Sequence, residues 1–312
     1  MDTTGGLPRH LLTACDGDGL FRFSPMNNSM PPPSLDQVPW WLWPTVLCLD
    51  APLVAVSWQS LLARQVGARL SLHHGALLAI AVWLAYVADR WIEGWRLTPR
   101  TVRTRRHYFY MRWRWSAFAT WVAMLSAGGA LALAKLEPRE WVASLGLLAL
   151  VLPYLLSHQL LHRNHPARVP KEVCVAVLIA GGAVLYPATS RPEMWANLLP
   201  GFAWLVVLSL LNCLLISEWE REVDVSQGQE SLALGSASFG DVVRFLPAVA
   251  GLVALVFCFF GPVATQPVSM AATSSAFALW GLAKTQPRLG RERARVLVDA
   301  ALLSPLIWLL FS

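Results

Sequence analysis

Two clusters of carboxylates lie where apolar stretches give way to polar sequence, and their spacing suits a metal or phosphate site. The first is Asp89 and Glu93 in AYVADRWIEGW; the second is Glu218, Glu220, Glu222 and Asp224 in ISEWEREVDVSQGQESLA. Asp89 and Glu93 are four positions apart, so a helix carries both on one face, one turn apart, and Glu220 and Asp224 repeat the spacing. Glu222 points elsewhere on a regular helix. Carboxylates beside a hydrocarbon core are costly unless paired, solvated or metal-bound, so they mark a site. Mg²⁺ prefers oxygen ligands and commonly combines one or two carboxylates with substrate phosphates. Two facing pairs are therefore expected to hold Mg²⁺ against a phosphorylated, lipid-like substrate. The ligands would be Asp89, Glu93, Glu220 and Asp224, with Glu222 assisting. The competing reading is a set of loop acids neutralised by neighbouring arginines.

The elements that must position these residues are membrane helices. The 312-residue chain is 55% hydrophobic and 14% charged, with mean hydropathy +0.47. Soluble domains carry about a quarter charged residues, so a polytopic membrane protein is expected. Apolar stretches fall near 40–62, 71–92, 115–134, 139–158, 171–189, 194–217, 242–262, 266–283 and 294–311. They are Leu/Ala-rich and lack period-two alternation, which excludes strands. Residues 1–38 are polar and read as a flexible cytoplasmic extension to a membrane domain over 39–312.

The loops after the even-numbered stretches hold sixteen Lys and Arg against five in the opposite loops. By the positive-inside rule the N-terminus and both acidic clusters are cytoplasmic, and the expected location is a bacterial inner membrane. The net charge of +6 is spent in those short loops, leaving no basic face for nucleic acid. Five scattered cysteines form neither a CxxC nor a ligand-like pattern. Of the 16 tryptophans most cluster near stretch ends, as interfacial anchors do, whereas Trp83, Trp204 and Trp280 lie deeper and are candidates for lining a cavity. Asp50 falls inside the first stretch, where it is expected to bond across a bundle or line a cavity. Asp299 reads as a solvated or Arg-paired end residue. His73 and His74, and His158, His162 and His165, read as interfacial; for the latter three, metal ligation on a helical face is the minor alternative.

The run around Asp224 resembles the UbiA-type intramembrane prenyltransferases, whose second signature is D-x-E-G-D-x-x-x-G followed by Thr-Leu. Here Glu220-Arg221-Glu222-Val223-Asp224 precede Gly228 and Ser231-Leu232. The first signature, N-D-x-x-D-x-x-x-D, keeps only its latter half as Asp89 and Glu93, with Ala85 and Tyr86 at the Asn and Asp positions. Tyr154 opens a segment similar to the family's Tyr-x-x-x-Lys loop, with His158 at the Lys position and Lys171 at the start of the next helix.

The resemblance implies an all-α membrane bundle of nine transmembrane helices around a central cavity open to lipid. It implies a Mg²⁺-dependent transfer of an isoprenyl group from a prenyl diphosphate to an acceptor that the sequence does not identify. Asp89, Glu93, Glu220 and Asp224 are then the catalytic residues. Arg90 and Arg96, nearest the first acidic pair, are expected on the diphosphate with Lys171, Tyr154 and Asn212; Arg103, Arg105, Arg106 and His107 are further phosphate candidates. The missing Asn-Asp half opens a second reading, a non-enzymatic relative that binds or moves isoprenoids. Membrane lipids are expected partners in both readings, and no oligomeric state follows from the sequence.

Overall fold

The structure is a computed structural model that describes residues 35, 38–98, 102–156, 170–223 and 239–310. The expected extension over 1–38 therefore lies outside the described residues, apart from positions 35 and 38. All regular structure among the described residues is helical. A 3₁₀ turn, Trp40–Leu42, leads into α1 (Trp43–Val46), followed by α2 (Asp50–Gln65), α3 (Leu72–Arg96), α4 (Arg105–Arg112), α5 (Arg114–Lys135) and α6 (Pro138–Leu156). Then come α7 (Lys171–Ser190), α8 (Trp195–Trp219), α9 (Phe239–Phe260), α10 (Gln266–Leu289), α11 (Arg291–Ala301) and α12 (Pro305–Trp308).

Helices occupy all nine apolar stretches, yet nine full spans are not confirmed. Five helical segments are long and apolar enough to cross a membrane: Leu72–Arg96, Arg114–Lys135, Lys171–Ser190, Pro192–Trp219 and Phe239–Phe260. A sixth is gained if Trp40–Val46 and Asp50–Gln65, bent by 78°, make one span. α10 is rich in Ser, Thr and Gln, and α11 is only 11 residues long and carries Arg291, Glu292, Arg293, Arg295 and Asp299. These five apolar segments make the chain an integral membrane protein.

The first span is broken where the sequence predicts continuity. Cys48 adopts a left-handed backbone, φ 56°, an uncommon conformation for a residue with a side chain. Its neighbours hold it there. Trp83 Nε1 donates to Leu47 O at 3.0 Å, and the Tyr110 hydroxyl donates to Cys48 Sγ at 3.5 Å. The break starts α2 at Asp50, inside the bundle rather than at its edge.

The main core joins α2, α7, α8, α10 and α11. Trp58 is fully buried there and donates Nε1–H to Leu302 O at 3.0 Å, tying α2 to the chain after α11. On α10, Ala271, Ala272, Ser275, Ala276 and Ala283 form a seam of buried small residues, as close helix packing in membranes requires. Gly251 of α9 meets that helix at the ring of Phe277, which an added Cβ would touch at 3.1 Å. At the far end, Ser71 N–H donates to His74 Nδ1 at 3.0 Å, which leaves Nε2–H to donate to Glu140 at 2.8 Å. His74 is thus a buried link between α3 and α6, where an interfacial residue was expected.

Trp58→Ala removes both a buried indole and the Leu302 bond. It is expected to destabilise the domain by about 3–5 kcal/mol, read as a lower thermal midpoint in detergent, with Trp58→Phe closer to wild type.

Candidate functional site

A cavity of about 700 Å³ runs between α2, α3, α5, α6, α7, α8 and α11. One pole is charged. The last turns of α3 bring Asp89 and Arg90, the start of α7 brings Lys171 and Glu172, and the end of α8 brings Ser217 and Glu220. Arg106 enters from α4 and Arg295 from α11. The rest is apolar. Leu77 and Leu78 of α3, Leu125 and Ala132 of α5, Leu145, Leu148 and Leu152 of α6, and Leu185 of α7 line it. From Asp89 to Leu77 is twelve residues of helix, about 18 Å.

The apolar side is open. α5 and α6 are joined by two residues yet barely touch. Leu125, Leu145, Leu148 and Leu152 line the cavity and are exposed, so packing between α5 and α6 does not close this wall.

Glu220 organises the charged pole. It is 7% exposed; Arg106 Nη2 donates to its Oε2 at 2.8 Å and Arg295 Nη1 to its Oε1 at 2.9 Å. Burial alone raises a carboxyl, but the two guanidinium groups outweigh it and hold Glu220 well below the usual carboxylate range. Arg106 is lowered to about 10 by burial and by the nearby Arg295, and stays charged at neutral pH. Its Nε and Nη1 are buried without a protein partner, and its side chain lines the cavity. Such orphaned cationic donors suit an anion.

Glu93 does the corresponding work for Arg90. Arg90 Nη1 donates to Glu93 Oε2 at 2.6 Å, and His107 Nε2 lies 2.9 Å from the same oxygen. Thr104 Oγ1 meets His107 Nδ1 at 2.8 Å, which leaves Nε2–H to face Glu93. Burial pushes the His107 imidazole down to about 4, so it is neutral at pH 7.

The expected site residues therefore divide. Asp89, Arg90, Tyr154, Lys171, Asn212 and Glu220 line one cavity. Glu93 stands behind Arg90 and does not line it, and Arg96 is exposed at the end of α3, outside the lining. Glu222 is exposed, 3.4 Å from Arg291. Asp224, with the Gly228 and Ser231-Leu232 flanks of its motif, lies outside the described residues, as do His158, His162 and His165. Asn212 spends its amide N–H groups on Val298 O and Asp299 Oδ1, both at 3.0 Å. Asp299 is thus neither solvated nor a simple arginine partner. Trp83, Trp204 and Trp280 do not line the cavity, whereas Trp121 and Trp141 do.

As a ligand for Mg²⁺, Glu220 does not fit as it stands, because arginine N–H groups occupy both its oxygens, and Glu93 Oε2 is taken by Arg90 and His107. Among the described residues no group of three or more His, Cys, Asp or Glu is placed to hold a metal ion. Arg295, Glu172 and Asp299 are lining residues that the sequence reading did not assign to a site. Arg295 was hidden among topology-determining arginines, and nothing in its local sequence marks it.

This arrangement matches a known fold. The solved apo structure of a UbiA homolog from Aeropyrum pernix K1 superposes with a TM-score of 0.57 at 16% sequence identity, covering 84% of this chain and 98% of that one. The chain has the UbiA-type fold. No protein-family model matches the sequence, and no curated protein matches it.

Glu220→Ala leaves two buried guanidinium groups facing each other. It is expected to cost about 3–5 kcal/mol of stability in thermal or denaturant unfolding. A second expected outcome concerns acid. Unfolded His107 binds a proton near pH 6.5 and the folded one near 4, so between those values the unfolded state holds more protons and stability falls as pH drops. By pH 5 the loss is on the order of 2 kcal/mol, and Glu220 adds to it only below the ordinary carboxylate range. Melting of wild type and His107→Gln between pH 7 and 5 checks this; the variant should lose less.

Proposed function

We propose that this protein is an intramembrane prenyltransferase that takes a prenyl diphosphate at the charged pole and its isoprenoid tail along the apolar arm. The observation that carries the reading is one cavity with Arg106 and Arg295, held by Glu220, at one end and an apolar arm walled by the sparsely packed α5 and α6 at the other. A charged head joined to a long apolar chain is the ligand chemistry that suits both ends.

In this reading Arg106, Arg295, Arg90 and Lys171 meet the diphosphate, with Glu220 and Glu93 holding Arg106, Arg295 and Arg90 in place. Preorganised cations in a low-dielectric pocket favour charge as it develops on a leaving group. The allylic fragment left behind lies against Tyr86 and Tyr154, whose faces favour a cation. The apolar walls exclude water that would quench it. Mg²⁺ belongs to the proposal only as an ion arriving with the diphosphate, held by phosphate oxygens and by Asp89, with Asp224 as the further ligand the motif implies. Bound there it would neutralise part of the diphosphate charge. The proposed orientation puts the charged pole on the cytoplasmic face.

The test is release of diphosphate and transfer of label from allylic diphosphates of graded length by purified protein in nanodiscs. Arg106→Gln is expected to lower kcat/KM about 100-fold, with Arg106→Lys intermediate. A second reading, non-enzymatic isoprenoid binding, is favoured by the arginine N–H groups that occupy both oxygens of Glu220. Tight binding of every diphosphate with no product at any chain length would establish it instead.

A further inference from the structure

At the end of the bundle that carries the charged pole, tryptophan and arginine side chains form a patch that the cavity does not use. α3 and α5 are both long and apolar enough to cross a membrane; α3 ends at Arg96 and α5 begins at Arg114. Trp91 Nε1 donates to Arg114 O at 2.9 Å, which ties these two ends together. Gly94 lets the end of α4 come close to α3, since an added Cβ would meet Met111 N at 3.2 Å. None of Trp95, Arg112, Arg114, Trp115 and Phe118 lines the cavity.

Indole rings seat the cations. The guanidinium carbon of Arg114 lies 4.5 Å from the ring centre of Trp95, and that of Arg112 lies 5.4 Å from the ring centre of Trp113. Trp95 packs edge-on against Trp91 and Trp115, with centroids 5.6 and 5.5 Å away, and Trp91 stacks on Phe118 at 5.3 Å. A ring face attracts a guanidinium without using up its N–H groups. Both arginines are exposed, and among the described residues neither guanidinium has a hydrogen-bond acceptor or a carboxylate partner. No Asp or Glu occurs between Glu93 and Glu137, and the arginines that open α4 are paired elsewhere, Arg105 with Glu292 and Arg106 with Glu220. The charge of this patch is complementary to an anion from outside the chain.

What lies below the patch selects the kind of anion. On α5, Trp115, Phe118, Val122 and Leu125 follow at intervals of three and four, so they share one face, and all four are exposed, by 39–64%. From Arg114 to Leu125 is eleven residues of helix, about 16 Å, close to half of a hydrocarbon core about 30 Å thick. A cation at the head of an exposed apolar track one leaflet deep matches a phospholipid, with phosphate above and acyl chain below. A soluble phosphate would use only the upper half.

We propose that Arg112 and Arg114, seated on Trp113 and Trp95, bind the headgroup of an anionic phospholipid whose acyl chain lies along the Trp115–Leu125 face of α5. The site does not rest on the transferase reading. Selectivity comes from net charge: a zwitterionic headgroup brings its own cation, which the arginines repel.

Native mass spectrometry of the full chain in detergent, titrated with phosphatidylglycerol or phosphatidylcholine of the same acyl chains, reads the site directly. Wild type is expected to bind its first phosphatidylglycerol about tenfold more tightly than phosphatidylcholine, and Arg112→Gln/Arg114→Gln to bind both alike. The control Arg244→Gln/Arg288→Gln removes two other exposed arginines, on α9 and α10, and should keep the preference. Trp95→Leu keeps every charge and should weaken phosphatidylglycerol about threefold while leaving phosphatidylcholine unchanged. Glycerol phosphate at the same concentration should not displace the lipid. Equal affinity of wild type for the two lipids, a preference kept in the Arg112→Gln/Arg114→Gln variant, its loss in the control, unaltered binding by Trp95→Leu, or displacement by glycerol phosphate overturns the lipid site. If the double variant does not fold, the wild-type comparison and Trp95→Leu carry the test.

Discussion

The bond pair from Arg106 and Arg295 to Glu220 is the interaction on which the charged pole depends. Two guanidinium groups brought from α4 and α11 into a buried space repel each other and lose hydration. A single carboxylate at the end of α8 offsets both, one oxygen to each. Because it uses only part of each guanidinium, Arg106 keeps two buried nitrogens without a protein partner, on a side chain that lines the cavity. In the proposed function the cost of burying three charges is offset by a preorganised site for an anion. Glu93 repeats the device with Arg90 and neutral His107 on α3 and α4. Acids that look like metal ligands in the sequence act as holders of cations.

A second constraint is the broken first span. An unbroken helix over 40–62 would carry Asp50 mid-membrane on a continuous face. The left-handed Cys48, held by Trp83 and Tyr110, instead precedes a new helix that begins at Asp50, a residue lining the cavity. Trp58 then ties α2 to the segment after α11. The gap in the bundle falls elsewhere, between α5 and α6.

Much of this was legible in the sequence, for identifiable reasons. Long Leu/Ala runs without alternation dictate helices in lipid, and the two acidic clusters mark the ends of α3 and α8. Asp89, Arg90, Tyr154, Lys171, Asn212 and Glu220 were drawn to one cavity by motif and position. What was not legible is whom each charge faces. Asp89 and Glu93 share a helical face by spacing, yet one lines the cavity and the other stands behind Arg90, because α4 inserts His107 there. Arg295 and Asp299 looked like loop arginine and helix-end acid, since nothing local reveals that α11 returns to pack beside α2 and α8. Membrane length was overestimated for α10, whose polar residues include Ser275 bonding Ala301 O at 2.8 Å, and for α11, which is only 11 residues long.

The central claim is that the Glu220-held arginines define where an anionic head sits. The most direct measurement is an experimental structure of the protein with farnesyl thiodiphosphate bound in nanodiscs. The account places the diphosphate within hydrogen-bond reach of Arg106 and Arg295, with the farnesyl chain running past Tyr86 towards the gap between α5 and α6. A diphosphate bound near His74 and Glu140, or a chain lying outside the bundle with the cavity empty, would contradict it.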